Sequence, residues 1–247
     1  RFLITLFVLS AIFFFVFKSD VFKVNNISVL FEGYGYDSES IKNRINSAFI
    51  GRNIFWLNEG GVLPALKKEY LSIIGIRLIR NLPRSVSFYV SQRDPVAVLV
   101  PVPSDFQSSP SAVISMAVKE GSSPSQRLLI DKSGLLFYKA SVPGMTIIVT
   151  DEGNATLGNL MSGSLDKFMI NTVSQMKTAD IPASLITGIY GDVLVVLKDK
   201  SFVWLTPTKE VDYQVEILKM IIEKYRIEGK GIAKIDLRFK NPVVEFK

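Results

Sequence analysis

Residues 22–93 read FKVNNISVLFEGYGYDSESIKNRINSAFIGRNIFWLNEGGVLPALKKEYLSIIGIRLIRNLPRSVSFYVSQR. Ile27, Val29 and Phe31 fall at every second position, one face of a strand that Glu32-Gly33 closes. Gly33-Tyr34-Gly35 makes a turn, Asp37 is placed to N-cap a helix, and Gly51 stands just past its end. Within that helix Ile41, Ile45, Ala48 and Phe49 recur at helical spacing. Asn53 to Leu57 reads as a short extended connector, and a second helix over Val62–Leu71 aligns Leu63, Leu66 and Tyr70. Two strands, Ile74–Arg80 and Val86–Arg93, flank a turn at Asn81-Leu82-Pro83-Arg84. The predicted order is strand, helix, helix, strand, strand: an α+β unit with two helices on a small sheet.

Upstream, Phe2 to Phe17 (FLITLFVLSAIFFFVF) has no charge and only Thr5 and Ser10 as polar residues. As a helix this run would reach roughly 24 Å, somewhat less than the ~30 Å hydrocarbon core of a bilayer. A signal peptide would end in a pair of small residues, and Phe17-Lys18-Ser19-Asp20 offers none. A soluble core helix rarely carries phenylalanine on every face. Residues 1–18 are therefore read as an uncleaved transmembrane anchor. Arg1 and Lys18 flank the run on both sides, so charge does not orient it. Because nearly all the foldable mass follows the run, the expected layout is a cytoplasmic N-terminus with the bulk of the chain extracytoplasmic. Arg1 is not a start residue, so a longer cytoplasmic tail is expected upstream.

Downstream, residues 94–247 form a second, larger unit. Between Pro101 and Gln126 stand eight serines and four prolines but only three charged residues, a loop-rich insertion in which Val113–Val118 is a short strand candidate. An amphipathic helix is predicted over Ser164–Thr178, with Leu165, Phe168, Met169, Val173 and Met176 on one face. Strands follow at Ile186–Tyr190, Val193–Leu197 and Phe202–Leu205. A helix over Lys209–Arg226 aligns Val211, Val215, Leu218, Ile222 and Tyr225, and two last strands follow Glu228-Gly229-Lys230-Gly231. The fold class expected for the whole chain is α+β: an anchor helix, a small α+β domain, and a larger mixed β-sheet domain with two helices.

Composition narrows function. The 247 residues include no histidine and no cysteine, which excludes Ser-His-Asp and Cys-His nucleophiles, disulfides and thiolate or imidazole metal sites. Lysine plus arginine outnumber the acids 29 to 23, for a net charge of +6, but the cations are scattered. No aromatic-and-basic pattern accompanies them, so no nucleic-acid partner is expected. Asp131-Lys132-Ser133-Gly134 lacks the adjacent Asp-Ser/Thr-Gly order of an aspartic protease and reads as a tight turn. No phosphate loop or metal constellation is found. No cofactor and no small-molecule substrate are expected.

Five motifs in order carry a resemblance. Phe22-x-Val24-x-x-Ile27-x-Val29, Arg80-Asn81-Leu82-Pro83 and Gln92-Arg93-Asp94-Pro95-Val96-Ala97 resemble the POTRA and hinge signatures of the FtsQ/DivIB family of bacterial division proteins. Leu129 to Phe137 is similar to that family's next strand–turn–strand, and Ile235-Asp236-Leu237-Arg238-Phe239 to its closing strand. The resemblance implies a POTRA domain over 22–93 and an FtsQ-type β domain over 94–247. It further implies a non-enzymatic septal scaffold in the cytoplasmic membrane that recruits FtsB/FtsL-type partners by β-strand addition. Three departures stand out: the 101–126 insertion, Lys198-Asp199-Lys200-Ser201 in place of an Asp-Gly turn, and Pro242 where glycine is frequent. One alternative is a POTRA-containing transport or envelope-assembly factor, which would want tandem units. Another is an anchored envelope hydrolase, which would want converging carboxylates.

Read alone, Val243-Val244-Glu245-Phe246-Lys247 is either a sheet edge guarded by Glu245 and Lys247 or an edge open to another strand. The resemblance points to the second and implies Arg238, Phe239, Asn241, Val243, Val244 and Glu245 as partner-binding residues. For the closing hairpin, a two-residue loop at Lys240-Asn241 would oppose Asp236 and Glu245. A four-residue loop, Lys240–Val243, sets Arg238 against Glu245 and is favoured by charge. In either register Ile235, Leu237 and Phe239 are expected to face the core, and Arg238 to be available to a partner carboxylate.

Overall fold

The computed structural model describes residues 20–102, 127–151 and 155–247, and the chain divides into two units between Arg93 and Asp94. The predicted anchor (1–18) and nearly all of the 101–126 insertion, with its strand candidate Val113–Val118, lie outside the described residues. Among the described residues no helix is long and apolar enough to cross a membrane. The class is α+β, with four α-helices and a large mixed sheet among those residues.

In the first unit, β1 (Asn26–Glu32), α1 (Ser38–Phe49), α2 (Glu59–Glu69), β2 (Ile73–Asn81) and β3 (Ser85–Gln92) follow the predicted order. The sheet order is β1-β3-β2, with β3 in the middle, parallel to β1 and antiparallel to β2. A parallel neighbour needs a crossover, and the two helices with β2 supply it. Ile41, Ile45 and Phe49 of α1 and Leu66 of α2 are buried with Val86, Phe88 and Val90 of β3. The Phe49 and Phe88 rings are 5.0 Å apart, and burying each phenylalanine contributes about 1.5–3 kcal/mol.

One helix start follows the sequence reading and one differs. Asp37 occupies the N-cap of α1 in a left-handed conformation, with no capping hydrogen bond from its side chain. The second helix begins at Glu59, three residues ahead of Val62, because the Asn58 side chain accepts the Gly61 N–H at 3.0 Å and so caps it there. The 53–57 connector is a turn rather than an extended piece: Trp56 N–H donates to the Asn53 carbonyl at 3.0 Å.

The second unit is one nine-stranded sheet in the order β12-β11-β10-β9-β8-β7-β4-β5-β6. Its strands are β4 (Pro95–Val102), β5 (Leu128–Asp131), β6 (Leu136–Lys139), β7 (Ile147–Asp151), β8 (Ala183–Ile189), β9 (Asp192–Leu197), β10 (Phe202–Leu205), β11 (Ile232–Asp236) and β12 (Val243–Phe246). Helix α3 (Ser164–Thr178) crosses from β7 to its parallel neighbour β8, and α4 (Val211–Ile227) crosses from β10 to parallel β11. Both helices pack on one face, where Phe168, Met169, Val173 and Met176 of α3 and Val215 and Leu218 of α4 meet Ile148, Ile186, Val195, Val203 and Ile235. Strands not foreseen in the sequence are β4 and β7, and Pro101 and Val102 belong to β4 rather than to the insertion, pairing with Thr150 and Asp151.

The Asp131 turn is built as its residues dictate. Asp131 Oδ1 accepts hydrogen bonds from Ser133 N–H (2.9 Å), Ser133 Oγ–H (2.6 Å) and Leu135 N–H (3.1 Å). Gly134 takes φ +89°, and a Cβ there would meet the Met161 carbonyl oxygen at 2.6 Å. Only glycine fits.

Candidate functional site

The closing hairpin adopts neither register considered from sequence. Asp236 faces Val243, Ile235 faces Val244 and Lys234 faces Glu245, so residues 237–242 form the loop. The shift is even, so Ile235 stays in the core as expected, and Leu237 is buried too. Phe239, expected to face the core, is 57% exposed. The chain leaves the strand at Leu237, whose N–H donates to the Trp204 carbonyl at 2.9 Å. Lys209 then holds the loop from the helix side, its Nζ donating to the carbonyls of Leu237 (2.7 Å) and Phe239 (2.5 Å). Gln214, buried on α4, accepts the Thr206 N–H at 3.0 Å and donates to the Thr206 carbonyl at 2.9 Å, which fixes the turn carrying Lys209.

On the sheet face turned away from the helices, Arg238 closes a polar cluster. Its Nε and one terminal nitrogen grip the two oxygens of Asp236 at 2.9 and 2.6 Å, and the other nitrogen reaches Asp192 at 3.2 Å. The guanidinium carbon lies 4.5 Å above the Trp204 ring, so cation–π attraction adds to the fork. Asp236 is 4% exposed. Burial pushes its carboxyl up, but the hydrogen bonds and charge of Arg238 outweigh that and hold it below the ordinary carboxylate range. The same bonds raise Arg238 above its ordinary value. An ionised carboxylate locked in this way has no proton to give near neutral pH, so the cluster organises the edge rather than performing acid catalysis.

Arg238 is thus committed within the chain, contrary to its expected availability, and it does not oppose Glu245. Glu245 pairs instead with Lys234 at 2.8 Å, directly across the strands. Val244 turns to the helix side and packs on the core, while Phe239, Asn241, Val243 and Glu245 are exposed. Phe246 rests edge-on against Tyr225 of α4, with ring centres 4.9 Å apart. Sequence reasoning missed Asp192, Trp204, Lys209 and Lys234. Only Lys234 had a readable signal, an opposite charge two even register steps away from the pairing favoured there.

β12 is the outermost strand of the sheet, and among the described residues no strand pairs its outer side. No group of three potential metal-ligating side chains converges among those residues. No family model matches the chain, and no curated protein matches it.

Proposed function

We propose that the chain is a membrane-anchored, non-enzymatic scaffold of the bacterial division septum. It recruits FtsB/FtsL-type membrane partners through its extracytoplasmic part, by adding a partner strand to β12. The observation that carries this reading is the outer side of β12 at the end of the nine-stranded sheet, which no strand pairs among the described residues, with Val243 and Phe239 exposed there. An open edge offers unpaired backbone groups that a second chain's strand can satisfy. The strand–helix–helix–strand–strand order of the first unit, with its β1-β3-β2 sheet, is compatible with a POTRA module. The anchor rests on the composition of residues 2–17.

Edge addition uses the backbone, with Arg238 as the brace that keeps the edge in place. The test is photo-crosslinking in native membranes, with a crosslinking residue at Val243 or, on the opposite edge strand β6, at Lys139. Val243 should capture a small single-pass division protein and Lys139 should not. Deletion of Val243–Lys247 should abolish co-purification of that partner. Capture from Lys139 but not Val243, or undiminished co-purification after the deletion, would exclude β12 as the docking edge.

A further inference from the structure

Exposed apolar side chains of the first unit gather at the end where residues 20–24 enter it. That segment is stitched to the 50–57 loop: Val24 N–H donates to the Arg52 carbonyl (2.9 Å), Gly51 N–H to the Val24 carbonyl (2.8 Å), and Ile54 N–H to the Phe22 carbonyl (2.9 Å). Phe22 and Phe55 pack with ring centres 5.3 Å apart, and Arg84 Nε donates to the Val21 carbonyl at 3.1 Å. Trp56, 62% exposed, leads a set that includes Val21, Ile50, Phe55 and, in the β2–β3 turn, Leu82. Adjacent exposed aromatics, Phe55 and Trp56, are unusual in a loop, where polar residues are the rule. The charges here are lopsided. Lys23 pairs with Asp20, and Arg80 pairs with Glu59 while its Nε holds the Ile54 carbonyl. Among the described residues Arg52 and Arg84 form no ion pair, and they remain as surplus cations.

We propose that this end of the first unit is a membrane-contact surface, in which Trp56, Phe55 and Ile50 enter the interfacial layer of the bilayer and Arg52 and Arg84 meet anionic lipid headgroups. The occupant follows from the tether. The apolar run ends at Phe17, and four residues of fully extended chain reach at most about 14 Å, so Val21 lies that close to the end of the run. The headgroup layer on one side of a bilayer is roughly 5–8 Å deep. Aromatic side chains with basic neighbours are what that layer accepts. The inference rests on reading Phe2–Phe17 as a span, which its test therefore separates.

Because the chain has no cysteine, Ile50→Cys and Tyr34→Cys each give a single site for a polarity-sensitive NBD label. Tyr34 is exposed just past the far end of β1, a strand that extends roughly 23 Å. In the full chain reconstituted into phosphatidylcholine–phosphatidylglycerol vesicles, the Ile50 label should shift to the blue and be quenched by spin-labelled acyl chains. The Tyr34 label should do neither. Adding Trp56→Ala and Arg52→Glu should return the Ile50 label to the Tyr34 behaviour. Water-like, unquenched emission at position 50 overturns the surface, including the outcome in which this patch instead serves a protein partner. Alkaline extraction of the same vesicles distinguishes the two readings. A chain retained in the membrane with an unquenched Ile50 label keeps the span and loses the surface. A chain that alkali releases, but whose label was quenched beforehand, keeps the surface and loses the span.

Discussion

Two hairpins of the second unit share a device and differ in who completes it. In β5–β6 and in β11–β12 an aspartate ends the first strand, is buried, and accepts the backbone N–H two residues on: Ser133 to Asp131 at 2.9 Å, Arg238 to Asp236 at 3.1 Å. At Asp131, further bonds come from Ser133 Oγ–H and Leu135 N–H within the same turn. At Asp236 they come from a charged side chain, which is itself shared with Asp192 on β9 and stacked on Trp204 of β10. These three hydrogen bonds of the first turn are all local. The second turn is a tie between three strands of the sheet, and it sits beside the open edge. The difference teaches where the closing edge is vulnerable: its geometry depends on a long-range ion pair rather than on local turn chemistry.

The largest expected effect is therefore at Arg238. Arg238→Ala leaves the Asp236 carboxylate buried without its fork, and losing hydrogen bonds to a charged group costs about 1.5–3 kcal/mol each way it is measured. Urea unfolding followed by a probe in the second unit should show a loss near the top of that range. Arg238→Lys should recover only part of it, since an ammonium cannot reproduce the planar fork. A change within ~0.5 kcal/mol, as for an ordinary surface site, would break the contrast between the two hairpins.

Acid sharpens the same point. The folded-state pKa of Asp236 is lowered from 3.8, so its stabilising contribution is fully present above that value and fades as pH falls through the lower folded one. In Arg238→Ala burial acts on Asp236 with only the backbone N–H of residue 238 and the charge of Lys234 opposing it, and protonation then relieves the variant. The stability gap between the native chain and Arg238→Ala should be widest near neutral pH and close as pH falls through the carboxylate range towards the lowered folded pKa of the native chain. A gap that stays constant down to acid unfolding would show that Arg238 acts through packing on Trp204 rather than through charge.

Asp131→Ala should cost less, about 1–2 kcal/mol, although it too removes several hydrogen bonds. What remains is a pair of backbone N–H groups in a turn whose Lys132 and Ser133 are exposed, so water can reach them. Asp131→Asn, which keeps an accepting oxygen, should recover most of the loss. If Asp131→Ala proves costlier than Arg238→Ala by the same unfolding assay, the ranking of locally bonded over long-range turns is wrong.

The same distinction governs what could be read from the residues. The Asp131 turn, the helix over Ser164–Thr178 and the succession of elements along the first unit were legible because each is fixed by neighbours in sequence. β4 was missed because Pro95–Val102 is an apolar run buried on both faces, which carries no alternation to detect. At the closing edge, Asp236 and Arg238 were visible as a motif, but the motif could not reveal its partners. Asp192 lies 46 residues from Arg238 in sequence, and only the order of strands brings them together. Phe239 was misplaced for a related reason. Period-two alternation predicts a core position as long as the strand continues, and the strand ends at Asp236, where its own side chain turns back to bind Arg238.

The smallest effect tests the register itself. Lys234 and Glu245 face each other across β11 and β12 at 2.8 Å, with the Glu245 side chain more than half exposed. Such a cross-strand pair contributes roughly 0.2–1 kcal/mol and weakens with salt. A double-mutant cycle on Lys234→Ala and Glu245→Ala should therefore give a small coupling that disappears in high salt. The parallel cycle on Arg238→Ala and Glu245→Ala should give none, because Arg238 is engaged on Asp236 and Asp192 instead. Had the hairpin closed with the four-residue loop, the two cycles would exchange results, since Arg238 would then stand opposite Glu245. A register four residues away changes no side chain's face, so burial and core packing alone do not distinguish the alternatives. The coupling energies do, because only one lysine or arginine can stand directly across from Glu245 at a time.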